Sequence, residues 1–250
     1  MTAAPMTTDE LFRDDATLLQ CTATVLAVDD AGIVLDRTVF YPLGGGQAGD
    51  AGRLQADDGR SVAIVDTRKH KERPGTIAHV PAPDADLSWL RPGQRVTAQI
   101  DAARRAAHAR FHTATHLLCA LVPHPVDGCS ITAGYARLDF HMSEPLDKDT
   151  LTTGIARLVA EAHPVRHRWI SEDELDANPG LVRSMSVQPP RGLGRVRVLE
   201  IEGVDLQPCG GTHVANTADV GPVIVTKIEK KSAMTRRVVL GFAEPAARPG

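Results

Sequence analysis

Two pairs of possible metal ligands occur in the sequence, and both pairs have the same spacing. His112 and His116 lie four residues apart in FHTATHLLCALV, and Cys209 and His213 lie four apart in QPCGGTHVAN. Positions i and i+4 of a helix share one face about one turn apart, so both imidazoles could bind one ion. The glycines of the second segment permit a tight turn that directs Cys209 and His213 inward. Together the pairs predict a tetrahedral site whose mixed nitrogen and sulfur donors suit zinc.

Other interpretations of these residues stay open at this point. The histidines could be neighbouring core or surface side chains without a ligand. His108 and Cys119 lie close in sequence, but ligands from 108 to 119 would span about three turns, roughly 16 Å, which is too far for one ion. Cys119, within LLCALV, is therefore predicted to be a small core residue.

The helix motif also limits the chemistry. In the zinc peptidase motif H-E-x-x-H a general-base Glu follows the first histidine, whereas Thr113 occupies that position here. An activated ester is an easier bond and fits a site without a dedicated carboxylate. A metal could polarise the carbonyl, lower the pKa of a bound water or anchor the substrate amine. If all four side chains bind at once, the site is closed and structural.

The elements that must position these ligands form two predicted regions. Residues 1–98 are β-rich, with hairpin signals at Asp-Ala-Gly and Asp58-Gly59, and they predict a β-barrel-like domain. Residues 99–250 predict an α+β domain that begins with the histidine helix, capped by Asp101 and ended by Pro123. The fold class is therefore α+β. The segment FYPLGGGQAGDAG, residues 40–52, is too rich in glycine for an ordinary strand.

Composition and charge favour a globular protein without a secretory signal or a membrane span. The chain has 250 residues, 42% of them hydrophobic, which is enough for a real core in one or two domains. The net charge of −3 gives no global basic signal, so a nucleic-acid partner would need a local patch. We expect no secretory signal and no membrane span. Four cysteines without a scaffold spacing favour a cytoplasmic protein. No obligate protein partner is inferred.

The motifs resemble a known family. HTATHLL with CGGTH is similar to the editing domain shared by alanyl- and threonyl-tRNA synthetases, and TVFYPLGGGQAGDAG is similar to the Gly-rich motif of the alanyl branch. Without a synthetase catalytic domain, the chain resembles the free-standing alanyl-tRNA editing proteins, the AlaX family, over about residues 20–242. The resemblance implies an editing domain of the common synthetase type and hydrolysis of mischarged tRNA(Ala). The seryl ester is the chief substrate of the family, and some members also remove the glycyl ester.

The resemblance also assigns roles to residues. It implies one Zn²⁺ per chain and the acceptor end of tRNA(Ala) as the partner. The implied metal ligands are His112, His116, Cys209 and His213. The implied catalytic residues are Thr38, Gln47, His112 and Cys209. The implied substrate-binding residues are Gly44, Gly45, Gly46, Gln47, Asp50 and Thr38.

Some of these roles have alternatives. Thr38 is the candidate for recognising the serine hydroxyl, but it could equally be a threonine that favours a strand. Leu43 stands where family members often carry a polar residue. Asp139 could be structural or could hydrogen-bond a ligand imidazole.

Contacts with tRNA and rival functions complete the expectations. Basic candidates are Arg104, Arg105 and Arg110, the segment RKHKER at 68–73, and Lys230, Lys231, Arg236 and Arg237. Aromatic residues are only 4%, so base stacking is expected to be minor. One rival is a non-catalytic tRNA-binding module with a structural zinc. Another is a metal-dependent hydrolase of small amino-acid esters.

Overall fold

A computed structural model describes residues 6–185, 188–189, 191–192 and 194–243. The chain divides into two compact units. The first comprises the chain through Gly44 together with Ala48–Ala106, and the second comprises Gly45–Gln47 and the chain from Ala107 onward. The division therefore follows residue 106, inside a helix, whereas the sequence predicts it after residue 98. Three residues of the Gly-rich segment also group with the second unit.

The first unit is a closed β-barrel. Six strands close it in the order β2-β3-β7-β6-β5-β8, and β1 pairs with β4 in parallel beside it. The strands of this unit are β1 (Asp9–Glu10), β2 (Gln20–Asp29), β3 (Gly32–Leu35), β4 (Arg37–Thr38), β5 (Gly52–Ala56), β6 (Ser61–Lys69), β7 (Ile77–Pro81) and β8 (Arg95–Ile100).

Buried and exposed side chains alternate along the strands, as a closed barrel with a filled interior requires. In β6, Val62, Ile64 and Thr67 are buried while Ser61, Ala63 and Val65 are exposed, as expected when a strand lines a closed core. Inward side chains from several strands fill the interior, among them Val25, Leu35, Leu54, Ile64 and Val96. Full closure leaves these six strands without an unpaired edge.

The second unit is mixed. Its sheets are antiparallel, one ordered β14-β15-β10-β9 and the other β11-β12-β13. The helices are α1 (Ala102–Leu121), whose last fifteen residues belong here, α2 (Lys148–Ala160) and α3 (Glu172–Ala177). The strands are β9 (Val126–Ile131), β10 (Ala136–His141), β11 (Val165–Ser171), β12 (Arg195–Ile201), β13 (Asp205–Pro208), β14 (Val223–Ser232) and β15 (Thr235–Phe242). A barrel followed by an α+β unit confirms the predicted fold class.

Helix α1 carries the first histidine pair through the core of the second unit. Asp101 accepts a hydrogen bond from the amide of Arg104 at 3.0 Å and so caps the helix, as predicted. Phe111, Leu117 and Leu118 are fully buried against side chains from both sheets and α2. Every residue from 111 to 119 is buried, so the histidines lie in a helix with no solvent face along that stretch.

A membrane-spanning helix must be long and uniformly apolar. None of the helices within the described ranges meets that requirement.

Candidate metal centre

The structure brings the four predicted ligands of the second unit together. His112, His116, Cys209 and His213 each offer one ligand atom, and these four atoms all lie within 4.8 Å of one another. The pair on α1 and the pair on the loop are about one hundred positions apart in sequence. The cluster is therefore a product of the tertiary fold, which seats a loop beside one face of α1.

The distances within the cluster fit a single ion. Cys209 Sγ lies 3.4 Å from His112 Nε2 and 3.2 Å from His213 Nε2. In a tetrahedral site with Zn–S near 2.3 Å and Zn–N near 2.0 Å, sulfur and nitrogen ligands lie roughly 3.5 Å apart. One thiolate with three imidazoles is also a donor set that suits zinc. The residues present thus fit the predicted metal.

Every imidazole of the cluster has a hydrogen-bond partner at Nδ1, the nitrogen that faces away from the sulfur. His112 Nδ1 lies 2.8 Å from Gln47 Oε1, and His116 Nδ1 lies 2.8 Å from Asp205 Oδ2. These oxygens accept, so each ring carries its proton on Nδ1. The Nε2 atoms are then directed at a common point, which is the usual arrangement around a metal-binding histidine.

Thr113 supplies the third of these partners. Its hydroxyl donates to the carbonyl of Ala109 at 2.9 Å, so its oxygen can only accept from His213 Nδ1 at 3.3 Å. The amide of Val214 also donates to it at 3.3 Å. The residue that occupies the place of a peptidase glutamate therefore orients a ligand.

Burial differs between the two halves of the cluster. His112 and His116 on α1 are buried, whereas Cys209 and His213 on the loop are partly exposed. The loop therefore forms the accessible edge of the centre.

The loop geometry depends on Gly211. A Cβ atom at this position would lie 2.1 Å from His112 Cε1 and 2.9 Å from Gln47 Oε1, distances that no side chain tolerates. The buried Arg197 on β12 holds the same loop, because its Nη1 donates to the carbonyls of Cys209 at 2.8 Å and Gly211 at 3.2 Å. Glycine at position 211 is thus needed to let the backbone pass close to the ring of His112.

The Gly-rich segment contributes Gln47 to this unit. Gln47 is fully buried, and its Oε1 also accepts from the amide of Thr212 at 3.1 Å while its Nε2 donates to Thr212 Oγ1 at 3.0 Å. Gly46 has a φ of +84°, and its carbonyl accepts from the amide of Ile131 at 2.7 Å. A Cβ atom on Gly46 would lie 2.9 Å from the side chain of Cys129. The glycines therefore allow the close approach that delivers Gln47 to His112.

The electrostatics of the cluster favour a thiolate at Cys209 and a neutral imidazole at His213, the protonation states in which these groups bind metals. Burial opposes ionisation of Cys209, but the charge and hydrogen bond of His112 and the hydrogen bond of His116 outweigh it and hold the pKa of the thiol well below its usual value. Burial lowers the pKa of His213 to about 3, so this ring is neutral. Burial also opposes the charged form of His116, yet hydrogen bonds to Asp205 and Cys209 raise its pKa to about 10. The Nδ1 proton of His116 is hydrogen-bonded to Asp205. A metal ion would therefore displace the other ring proton, the one on Nε2 of His116.

The other cysteines near α1 have a different character. Cys119 is buried in the core, as predicted, and burial raises its pKa to about 12. Burial raises the pKa of Cys129 to about 12 as well. Both stay protonated thiols at neutral pH, which leaves Cys209 as the thiolate of this region.

The remaining predicted site residues lie in the first unit. Thr38 is fully buried; its hydroxyl lies 2.7 Å from His79 Nε2, and its oxygen accepts from the amide of Phe40 at 3.0 Å. His79 Nδ1 donates to the carbonyl of Ile33 at 2.9 Å, so Nε2 accepts from Thr38. Thr38 thus has a structural partner inside the barrel, and its role in recognising serine stays a prediction.

Asp50 and Gly44 also have partners within the first unit. Asp50 accepts from the amide of Tyr41 at 2.8 Å and forms a buried ion pair with Arg105. The carbonyl of Gly44 accepts from the hydroxyl of Tyr41 at 2.9 Å. These contacts fix the start of the Gly-rich segment; binding of substrate by these residues stays a prediction.

Several basic candidates for tRNA contact are engaged in contacts within their own unit. Arg105 pairs with Asp50, and Arg110 donates to the carbonyl of Val220 at 2.8 Å. Arg237 forms a two-bond pair with Asp139, each bond 2.7 Å long. Asp139 is therefore structural, the first of its two predicted alternatives, and the carboxylate beside a ligand imidazole is Asp205.

Sequence reasoning missed Asp205, Arg197 and Thr212. A usable signal existed for Asp205, because residues 205, 207 and 209 alternate along one extended segment and so share a face with Cys209. Thr212 lies inside the CGGTH motif itself. Nothing in the spacing of Arg197 points to the loop that it holds.

Comparisons with known proteins agree with this geometry. Residues 196–239 match the model of the threonyl and alanyl tRNA synthetase second additional domain. Residues 11–104 match the model of class II (A) tRNA synthetases. The first match contains Cys209 and His213, and the second contains the Gly-rich segment with Gln47.

Several relatives are similar over nearly their whole length. An alanyl-tRNA editing protein AlaX-M of Methanosarcina barkeri is 33% identical over 240 residues, covering 92% of this chain and 97% of the relative. Its counterpart in Methanosarcina acetivorans is 34% identical over 243 residues, with the same coverage. An alanine–tRNA ligase of Methanothermobacter thermautotrophicus is 33% identical over 233 residues, 89% of this chain but 25% of the ligase.

Proposed function

Since the chain belongs to the family of alanyl-tRNA editing proteins AlaX-M, we propose that it is a metal-dependent deacylase that hydrolyses mischarged tRNA(Ala). The expected substrates are the seryl ester and, as a second one, the glycyl ester. The partner is the acceptor end of tRNA(Ala), and the cofactor is one Zn²⁺ per chain. This function makes the protein a contributor to translation fidelity.

One observation carries the proposal. Four ligand atoms lie within 4.8 Å of one another, and each of the three imidazoles donates its Nδ1 proton to an oxygen of the second unit. A cluster without a ligand would not need three separate oxygens to fix three ring orientations. The arrangement therefore supports metal binding by His112, His116, Cys209 and His213.

The site's own residues suit an ester better than an amide. A bound Zn²⁺ would polarise an ester carbonyl or lower the pKa of a water molecule. Asp205 is committed to His116 and to Gln207 Nε2 at 2.9 Å, and Thr113 is committed to His213, so neither is placed as the general base of a peptidase. The accessible edge at Cys209 and His213 is where the ester would enter.

The specificity problem explains why such a site is needed. A pocket that accepts alanine cannot strongly reject glycine, which is smaller, or serine, which adds one hydroxyl. A second site can select the serine hydroxyl with a positioned polar group, because an analogue without the hydroxyl leaves that group unpaired. We therefore expect the seryl ester to be removed much faster than the correct alanyl ester.

The decisive experiment is deacylation of seryl-, glycyl- and alanyl-tRNA(Ala) by zinc-loaded protein, with a chelated sample alongside. Fast loss of the seryl ester, slow loss of the alanyl ester and inhibition by the chelator are expected. Intact esters with one zinc bound per chain would instead favour the tRNA-binding module. Equal turnover of free serine esters and seryl-tRNA would favour the small-ester hydrolase.

A pair of cysteine variants separates the site from general effects. Cys209→Ala removes the thiolate and is expected to abolish both zinc binding and deacylation. Cys21→Ala removes a partly exposed cysteine of the barrel strand β2 and serves as the matched control. Equal loss of activity in both variants would contradict the assignment of the site.

A further inference from the structure

Trp169 on β11 is an exposed aromatic side chain in the second unit. It is 39% exposed, whereas Trp89, the other tryptophan, is buried in the barrel. Indole has a large apolar surface, and leaving it in water has a cost that a partner would remove. The position of this side chain in its sheet indicates what that partner is.

Arg195 covers one side of this ring. Its guanidinium carbon lies 4.4 Å from the ring centroid of Trp169. In the register of the sheet Trp169 pairs with Arg197 and Ser171 pairs with Arg195, so Arg195 reaches the indole diagonally from the neighbouring strand. Among the described residues no carboxylate lies within ion-pair distance of Arg195, unlike Arg166 and Arg168 on β11. The pair therefore presents a flat surface with a positive charge that no carboxylate of the described residues neutralises.

This pair lies in one row with the candidate metal centre. Trp169 pairs with Arg197, and the carbonyl of Arg197 accepts from the amide of Cys209 at 3.1 Å. Directly paired residues of an antiparallel sheet point to the same face, so the side chains of Trp169 and Arg197 share the face on which Arg197 holds the CGG loop. With strands about 4.8 Å apart, the Cα atoms of Trp169 and Cys209 are roughly 10 Å apart.

We propose that Trp169 and Arg195 form a stacking platform for an unpaired nucleobase of the tRNA acceptor strand. This inference rests on the proposed function, which places the aminoacyl ester at the accessible edge of the metal centre. The nucleotides that precede the ester are single-stranded, and proteins hold such bases on aromatic rings and on arginine planes. The uncompensated charge of Arg195 complements the phosphates that connect those bases.

The platform gives base stacking a larger part in RNA binding than the low aromatic content alone predicts. The aromatic content of 4% is an average over the chain, whereas one exposed ring beside the reaction centre suffices to hold one base. It also changes the basic residues expected to matter, because Arg105, Arg110 and Arg237 are engaged in internal contacts.

The test measures binding of an RNA minihelix that ends in CCA and carries no amino acid, so that no turnover is needed. Trp89→Phe leaves Trp169 as the sole tryptophan, and its fluorescence should be quenched when the minihelix binds. Trp169→Ala is expected to raise Kd by about tenfold, within the range that base–aromatic stacking gives, while Trp169→Phe restores most of the affinity. Zinc content and the circular dichroism spectrum of each variant report whether the fold is intact.

Modified minihelices identify stacking as the cause. Each of the three terminal nucleotides is replaced in turn by an abasic one. One replacement should weaken binding to the unmodified protein and make Kd insensitive to Trp169→Ala. Arg195→Ala should reduce the dependence of Kd on salt, whereas Arg166→Ala, the same charge change on the opposite face of β11, should have a smaller effect.

Two outcomes would overturn the platform. One is an unchanged Kd in Trp169→Ala. The other is an equal effect of Trp169→Ala on every abasic minihelix, which would show that no base is stacked there. Deacylation of seryl-tRNA(Ala) by the unmodified protein is scored separately. If the protein deacylates seryl-tRNA(Ala) but RNA binding does not depend on Trp169, the platform alone is refuted. If the protein is inactive but RNA quenches the fluorescence of Trp169, the proposed activity alone is refuted.

Discussion

Acid should destabilise the barrel through His79. The ring is fully buried, and burial lowers its pKa from 6.5 to about 4. Between these values the unfolded chain binds a proton that the folded barrel does not. The contribution of His79 to stability is therefore complete above pH 6.5, and it is lost as the pH falls towards 4.

The size of this effect follows from the pKa difference. One pKa unit corresponds to about 1.36 kcal/mol, so the full loss is about 3 kcal/mol, with a limiting slope near 1.4 kcal/mol per pH unit. Such a loss is a large fraction of the stability of an ordinary domain. Because Thr38 donates to His79 Nε2, protonation at Nε2 would also remove the acceptor of the Thr38 hydroxyl proton.

Urea unfolding at a series of pH values from 7.5 to 4.5 provides the measurement. In a Trp169→Phe background, fluorescence of the core residue Trp89 reports the barrel alone. His79→Gln cannot titrate in this range and is the control. Relative to His79→Gln, the protein with His79 should lose about 2–3 kcal/mol of unfolding free energy between pH 7.5 and pH 4.5. Parallel curves for both proteins would refute the reasoning.

Four further predictions concern the site residues. Thr38→Val should cost the barrel about 1–3 kcal/mol, because it leaves His79 Nε2 and the amide of Phe40 without their partner; urea unfolding measures this, and a changed ratio of seryl to glycyl deacylation would support the predicted role in serine recognition. Gly211→Ala should reduce bound zinc well below one ion per chain by elemental analysis, since the new Cβ would meet His112, whereas Gly134→Ala, which faces open space, should bind zinc normally. Gln47→Leu should weaken zinc affinity by about 10–100-fold in chelator competition, as expected when a ligand loses its orienting partner; an unchanged affinity would show that His112 needs no such support. Zinc binding should tighten as pH rises through neutrality, because the pKa of His116 is raised to about 10 and its Nε2 proton must leave; calorimetry in buffers of different ionisation enthalpy would detect the released proton, and no release would contradict this protonation state.

The four residues of the candidate metal centre could be predicted because the geometry within each pair is local. His112 and His116 are related by one helical turn, and Cys209 and His213 by one glycine turn, so each pair is visible in a short window. The hairpins of the barrel and the cap at Asp101 are local in the same sense. The matching spacing and the mixed nitrogen and sulfur donors join the two pairs, and the family resemblance strengthens that link, because no spacing rule relates residue 116 to residue 209.

The partners of the ligands could not be predicted for the opposite reason. Gln47 and His112 are 65 positions apart, and Asp205 and His116 are 89 apart. Long-range contacts of this kind depend on how elements pack, which hydrophobic periodicity does not specify. The same holds for Trp169, whose importance comes from its register with Arg197 and not from its neighbours in sequence.

The membership of Gly45–Gln47 in the second unit has a consequence for anyone who dissects this protein. A fragment cut at the helix, from Ala107 onward, retains all four ligands but forfeits Gln47 and with it the acceptor for the Nδ1 proton of His112. Supplying the missing segment as a synthetic peptide, or splicing it to the fragment through a linker, becomes the practical route to a minimal version of the candidate metal centre. In the same way, a gene rearrangement that moved the chain from Ala107 onward alone would carry the four candidate ligands without Gln47, which orients His112.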